Sequence, residues 1–491
     1  MRPPVSSSRP SPSGRASRPG AETRARPRSG WSSSTTNTTG EGLASRLGTE
    51  YGFPRSAGKP GRRSIPFVPE GSDMRALIST YGTRGDVEPY VALARRLVAE
   101  GHSAVLAAPE AYRPTVEGTG AEFAPVCTAM HEVMREGMSG IGGPREALGL
   151  ARRMSAAMRT SLSEQWTAAQ EAAPTVMVSH PKALGGLHIA ERLGVPFVAS
   201  LPLPFLTPTR DFPIPFLSRG LPPALNRATY AFNRFTGIAY GGMINRFRTE
   251  ELGLGRMSRT SDYLHGADGR PVPVLYPFSR HVVPVPRDYP DSAHVTGWWF
   301  DRNRDGTPPP ELEEFLAADG PVVYIGFGSM GFGRHAPERG RAVLDAVRRV
   351  GVRAVVATGW GGVEVGASED IMVIEDVPHA WLFPRVTAVV HHGGSGTTAA
   401  GLRAGRPTLV CPVLGDQPFW GARIHQLGLG PRPLPLRKVT GEALAARLAE
   451  LIGSPAVASR AEAIGELIRA EDGTGAAILA LEEITAERAL R

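Results

Sequence analysis

Short apolar runs of strand length alternate with segments of helical period in two long stretches of this chain, and no other feature restricts its fold as much. The first series opens with "RALIS" at Arg75, then "YVALARRLVAEG", whose closing glycine is a usual helix C-cap, then "SAVLAA". It continues with "TVMVSH", the helical "ALGGLHIAERLG" and the strand "VPFVAS". The second series starts at Pro321 and runs "PVVYIGF", "RAVLDAVRRVG", "RAVVAT", "IMVIE", "AVVHH", "TTAAGLRAG", "PTLVCP" and "QPFWGARIHQLG". Strands alternating with helices predict parallel sheets covered by helices on both faces. The expected fold class is α/β, with two doubly wound Rossmann-like domains facing each other across a cleft.

Two segments interrupt the first series. Residues 130–170 read as helical and carry Met130, Met134, Met138, Met154 and Met158, which suit either ordinary core or an adaptable wall for an apolar ligand. Residues 201–223 hold seven prolines and are expected to lack regular structure. "WWFDRNRDGTPPPELEE" separates the two series. The predicted organisation is a tail at 1–73, a first domain at 74–300, a linker at 301–312, a second domain at 313–474 and a final helix at 475–491.

The formal charge of +8 over 491 residues suggests a polyanionic partner until it is located. Residues 1–73 hold 12 Lys and Arg against five acids, which leaves the remaining 418 residues nearly neutral. Nucleic acid is therefore not an expected partner, and membrane contact is expected to be peripheral at most. The Ser/Pro/Gly/Arg-rich tail cannot offset its own ordering entropy. It has the composition of an organellar transit peptide, but Met74 is equally a candidate start. No apolar run reaches the roughly 18 residues needed to cross a bilayer. Cys127 and Cys411 lie in apolar surroundings and are expected to be buried free thiols, consistent with a reducing, cytoplasmic location.

"HHGGSGTT", His391 to Thr398, follows a strand and opens a helix. Ligands of open parallel sheets bind beyond the carboxyl ends of strands, and a helix N-terminus offers unpaired N–H groups to phosphate. Gly394 and Gly396 permit close approach, Ser395 and Thr397 add hydroxyls, and His392 can donate to a phosphate oxygen. The alternative is a plain glycine-rich turn with an N-cap Thr. "GFGSMGFG" holds the G-x-G-x-x-G pattern but lacks an acid after the next strand, so Gly328 and Ser329 read better as diphosphate donors. Asp416 and Gln417 can fork hydrogen bonds onto adjacent sugar hydroxyls, although Asp416 also suits a helix N-cap. In "GTRGDVEP", Asp86 is either a general base or a helix cap, with Thr83 and Arg84 beside it facing the cleft as candidate diphosphate contacts. His180 is a rival base, ahead of His102 and His188. No Asp-x-Asp motif occurs and no metal is expected.

The blocks "GTRGDVEPYVALARRL", "PKALGGLHIAERLGVPFV", "PVVYIGFGSM" and "VPHAWLFPRVTAVVHHGGSGTTAAGLRAGRPTLVCPVLGDQPFWGARI" resemble the GT-B fold glycosyltransferases of family 1. The likeness is nearest to the sterol 3-beta-glucosyltransferases and the bacterial natural-product glycosyltransferases, and it runs from Met74 to about Leu481. It implies a diphosphate held by His392, Gly394, Ser395, Gly396, Thr397 and Ser329. It implies a nucleobase against Val377 and His379, a sugar on Asp416 and Gln417, and Asp86 as catalytic base. It implies a final helix packed back across both domains. Where plant relatives have a base-stacking Trp this chain has Asp376, with Trp360 and Trp381 as substitutes.

The expected activity is inverting, metal-independent transfer of a hexose, glucose or a deoxyhexose, from a UDP- or TDP-sugar to a hydroxyl of an apolar acceptor such as a sterol, lipid or polyketide. No cofactor is expected beyond the nucleotide-sugar co-substrate. The alternatives are a GT-B-fold sugar-nucleotide epimerase, a nicotinamide-dependent reductase, and a binding module that never turns the donor over.

Overall fold

The computed structural model describes residues 74–137, 144–217, 221–258, 260–262, 264–266, 268–301, 309–328, 335–359, 362–375 and 377–489. The tail at 1–73 and most of the expected linker lie outside them.

The first lobe is built on a seven-stranded, all-parallel sheet. Its strands are β1 (Arg75–Ser79), β2 (Ser103–Ala108), β3 (Glu122–Pro125), β4 (Val176–Ser179), β5 (Phe197–Ser200), β6 (Val274–Tyr276) and β7 (Ala293–Val295), in the order β3-β2-β1-β4-β5-β6-β7. The central strands are buried on both faces, which is why they read as unbroken apolar runs. The helices are α1 (Arg84–Ala99), α2 (Arg113–Glu117), α3 (Thr128–Gly137), α4 (Pro144–Ala172), α5 (Gly186–Leu193), α6 (Pro223–Thr229) and α7 (Arg234–Glu250).

One local expectation is corrected. The helical run read from Tyr90 already begins at Arg84, and α1 carries Pro89 in its second turn. The Asp86 carboxylate takes hydrogen bonds from the N–H and hydroxyl of Thr83, which closes the first turn despite the proline.

The second lobe begins with α8 (Pro310–Ala317), inside the segment read as linker. Strands β8 (Val322–Gly326), β9 (Arg353–Ala357), β10 (Ile371–Ile374), β11 (Ala388–His391) and β12 (Thr408–Val410) form a parallel sheet in the order β10-β9-β8-β11-β12. Helices α9 (Ala336–Val350), α10 (His379–Leu382), α11 (Ser395–Arg403), α12 (Gln417–Gln426), α13 (Gly441–Ile452) and α14 (Pro455–Ala470) accompany it.

Two apolar seams join the lobes. Trp298 and Tyr276 of the first lobe share an apolar core with Trp420 and Ile424 of α12, the Trp298 and Trp420 rings lying 6.1 Å apart. The last helix, α15 (Gly473–Ala489), leaves the second lobe and packs on α1. Its Ala477, Ile478 and Leu481 join the core of Leu93 and Leu97. Arg96–Asp472 (3.1 Å) and His102–Glu482 (3.2 Å) flank this seam. Burying Ile478 and Leu481 is worth about 1.5–3 kcal/mol each, more than the two part-exposed ion pairs supply.

Candidate active site

In each sheet the chain reverses its direction of winding between two neighbouring strands, β1 and β4 in the first and β8 and β11 in the second. The crevice beyond the carboxyl ends of such a strand pair is where open α/β sheets take ligands. Both crevices open into one cleft of about 1300 Å³ between the lobes.

On the first-lobe wall, Asp86 follows β1, and His180 and Lys182 follow β4. Lys182 Nζ donates to Asp86 Oδ1 at 2.6 Å, while Oδ2 accepts from Thr83 N–H at 2.9 Å and from its hydroxyl at 3.1 Å. Burial by itself would raise the Asp86 carboxyl. The charge of Lys182, helped by His180 and the hydrogen bonds from Lys182 and Thr83, outweighs it and holds Asp86 below the usual carboxylate range. Asp86 thus caps α1 and stays ionised in the cleft, so the capping and functional readings coexist.

His180 is differently placed. Its Nδ1 accepts from the Lys182 backbone N–H at 3.0 Å, which leaves the proton on Nε2, 4.0 Å from Asp86 Oδ1. Burial, then the Lys182 charge, pushes its pKa down to about 3. Its one free lone pair is spent, so it is a poor base. His188 is buried against Arg248, and His102 is bonded to Glu482 of α15. Neither lines the cleft. Arg84 lines it and pairs with Glu88.

On the facing wall, β8 leads to Gly328 and β11 leads through His392 into α11. Gly328 has φ +65°, and a Cβ there would stand 2.6 Å from His392 Cε1. A Cβ at Gly394 would stand 2.6 Å from His392 Nε2. Only glycine leaves room for the ring at these two positions. Burial lowers the His392 pKa to about 4, and its inaccessible Nδ1 has no hydrogen-bond partner among the described residues. Gly394, Gly396 and Thr397 line the cleft at the α11 N-terminus. Ser395 lines it too, with its hydroxyl donating to Pro202 O of the first lobe at 3.2 Å. The α1 and α11 N-termini meet here, since a Cβ on Gly396 would lie 3.4 Å from Gly85 Cα. Their aligned peptide dipoles make the place attractive to an anion. Ser329 lies outside the described residues.

His379 stacks on Phe383 (centroids 4.3 Å, 15°) and meets Tyr324 edge-on at 5.6 Å. Val377 is buried beside them. Trp360 and Asp376 lie outside the described residues. Trp381 lines a neighbouring cavity, with the Arg385 guanidinium 4.4 Å above its ring. Tyr324, hidden inside a strand in the sequence, lines the cleft as well.

Asp416 stands at the N-cap position of α12, yet its Oδ2 accepts from Trp420 Nε1 at 3.1 Å instead of capping. Burial raises its carboxyl to about 6, and the charge of Asp86 across the cleft adds to that. The Gln417 carbonyl accepts from Val413 and Leu414 N–H at 2.7 and 3.2 Å, which fills its oxygen. The fork expected from this pair therefore narrows to the Asp416 carboxylate and the Gln417 amide nitrogen. Beyond Asp86 the cleft continues along Met158, Phe205, Phe216 and Tyr240. Met130 is buried in the core instead, and Met138 lies outside the described residues.

Residues 76–209 match the family model of the glycosyltransferase family 28 N-terminal domain, and residues 341–474 that of the erythromycin biosynthesis protein CIII-like C-terminal domain. The two matches, one on each lobe, give the chain the two-domain GT-B glycosyltransferase fold. Among curated relatives, the sterol 3-beta-glucosyltransferase of Aspergillus clavatus is 36% identical over 441 residues, covering 86% of this chain and 30% of the relative. This GT-B chain thus spans about a third of that relative's length. Among solved structures, the glycotransferase of kitacinnamycin superposes with a TM-score of 0.61 at 20% identity, covering 84% of this chain and all of that one. The glycosyltransferase VinC, solved with dTDP, gives 0.58 at 19% identity over 84% of this chain and all of its own.

Among the described residues of this GT-B chain, both cysteines are free and buried, and burial raises both thiols to about 12. No helix among them is long and apolar enough to cross a membrane. Lys182 is the cleft residue that sequence reasoning passed over. The available signal was topological: Asp86 and Lys182 follow strands that flank the same switch point.

Proposed function

We propose that this chain transfers a hexose from a nucleoside diphosphate sugar to a hydroxyl of an apolar acceptor, with inversion at the anomeric carbon. One observation carries the reading: an ionised, cleft-facing Asp86 on one lobe opposes a glycine-rich helix terminus with His392 on the other, within a single cavity. The diphosphate rests on the N–H groups of Gly394 to Thr397 and on His392, between two helix N-termini. Asp416 and the Gln417 amide hold sugar hydroxyls. Asp86 takes the proton from the acceptor hydroxyl, whose oxygen attacks the anomeric carbon as the bond to the diphosphate breaks on the far side. The helix dipoles and His392 meet the charge that grows on the leaving group. Lys182 keeps Asp86 ionised and raises the local positive potential that favours an oxyanion.

The sterol glucosyltransferase relatives favour glucose and a sterol-like acceptor, and Met158, Phe205 and Phe216 give the cleft an apolar arm to receive one. Independence of metal ions is part of the proposal. The EDTA arm of the experiment below tests it.

The deciding experiment incubates the protein with UDP-glucose and dTDP-glucose against a panel of sterols and macrolides, with and without EDTA, and weighs the products. A glycoside mass that survives EDTA supports transfer. An altered nucleotide sugar formed without acceptor would replace it with epimerisation.

A further inference from the structure

We infer that the outer face formed by residues 205–217 and 221–240 docks on an anionic lipid bilayer and passes the apolar acceptor from it into the cleft. This role rests on the transferase reading for what the cleft does, but not for whether docking occurs.

Among the described residues, eight of the twelve large apolar side chains that remain exposed fall between Phe216 and Tyr240. Leu225, Phe232, Phe235 and Ile238 are each about half exposed, at 54%, 49%, 55% and 57%. A cluster of this kind on a water-facing surface marks an interaction site. It is also continuous with the cleft. Phe205 and Phe216 line the cavity that holds Asp86. Their rings are 5.4 Å apart, Phe216 and Phe232 are 5.8 Å apart, and Phe232 stacks on Phe235 at 5.6 Å and 12°. The four rings form one apolar track from the reaction space to the outside.

The charge around the track selects the occupant. Residues 205–240 hold four arginines and one aspartate. Of these, Arg210, Arg227 and Arg234 are exposed, as is Asp211, and Arg227 pairs with Asp288 at 3.4 Å, so the face keeps a positive balance mainly through Arg210 and Arg234. A second copy of the chain packed face to face would bring these cations against one another. A bilayer with anionic headgroups meets both features, because exposed rings enter the acyl boundary while arginines stay among the phosphates. No described helix is long and apolar enough to span, so contact would be at the surface.

The test is sedimentation of the full chain with vesicles of phosphatidylcholine alone, and with vesicles of equal parts phosphatidylcholine and phosphatidylglycerol. The wild-type protein is expected to bind the mixed vesicles and to be released by salt. Phe232→Ser with Phe235→Ser should weaken binding about tenfold or more, and Arg234→Glu should weaken it on mixed vesicles only. Circular dichroism checks that these exposed positions leave the fold intact. Three results would overturn the inference: wild-type protein staying in solution with mixed vesicles, equal binding by the double variant, or a dimer that the double variant dissolves while vesicles bind nothing. Sedimentation reads docking without turnover, so vesicle binding by a protein that transfers no sugar would sink the transferase reading alone.

Discussion

Lys182 Nζ sits 2.6 Å from Asp86 Oδ1, although 96 residues separate the two in sequence. They meet because β1 and β4 are neighbours, and each residue lies in the segment leaving the carboxyl end of its strand. With both present, Asp86 stays ionised well below neutral pH. Lys182→Met removes the lowering influence and leaves burial to raise the carboxyl. The acid limb of kcat/KM should then move up by about one pH unit or more, and Lys182→Arg should keep it low. A pH–rate profile with the limb unmoved in Lys182→Met would remove Lys182 from this role.

Asp416 titrates nearer neutrality, at about 6 against an ordinary 3.8, because it is buried and faces the charge of Asp86. If its carboxylate holds sugar hydroxyls, nucleotide-sugar affinity should fall about tenfold as pH drops from about 7 to about 5. Asp416→Asn should bind more weakly at pH 7 and lose that slope. Calorimetry with the intact nucleotide sugar, whose phosphate diesters do not ionise in this window, reads both effects. A wild-type affinity that is flat over the window would contradict the assignment.

The His392 ring lies against Gly328 and Gly394, where any Cβ would collide with it. Replacing it by Ala should weaken nucleoside diphosphate binding about tenfold or more, the scale of one lost hydrogen bond to a charged group. Undiminished binding to His392→Ala would mean that the glycine-rich turn alone holds the phosphates.

Glu471 sits at the junction of α14 and α15 against Ser279 and Gly297 of the first lobe, and its buried Oε2 has no hydrogen-bond partner among the described residues. Burial raises its carboxyl from 4.5 to about 7. The folded pKa lies above the unfolded one, so folding favours the protonated form, and stability falls as pH rises from about 4.5 to about 7. Glu471→Gln should stabilise the protein by about 1–3 kcal/mol at pH 8, raising Tm by a few degrees, and by almost nothing at pH 4. Calorimetric scans at the two pH values check this; an equal gap at both would mean that charge is not the cause.

The sheets were legible in the sequence because buried parallel strands are unbroken apolar runs and the helices between them keep their period. β3, β6 and β7 escaped notice, being three or four residues each and close to prolines. The start of α1 was hidden because Pro89 reads as a helix breaker, whereas the Thr83–Asp86 bonds decide the matter locally. His392, Gly328 and Asp416 could be picked out from residue type and position after a strand. Lys182 could not, since nothing in "SHPKALGG" tells where its amine will reach. The half-used amide of Gln417 was equally invisible, because its oxygen is claimed by loop N–H groups whose placement is tertiary.

Asp86→Asn separates the two duties of this residue most directly, because asparagine keeps an oxygen for the Thr83 N–H and cannot take up the acceptor's proton. Single-turnover rates measured beside donor affinity should show transfer slowed about 10²–10⁴-fold, with unchanged nucleotide-sugar binding and a melting temperature close to wild type. Transfer within a few-fold of wild type, with the donor bound equally well, would show that the carboxylate only caps its helix and that the base lies elsewhere.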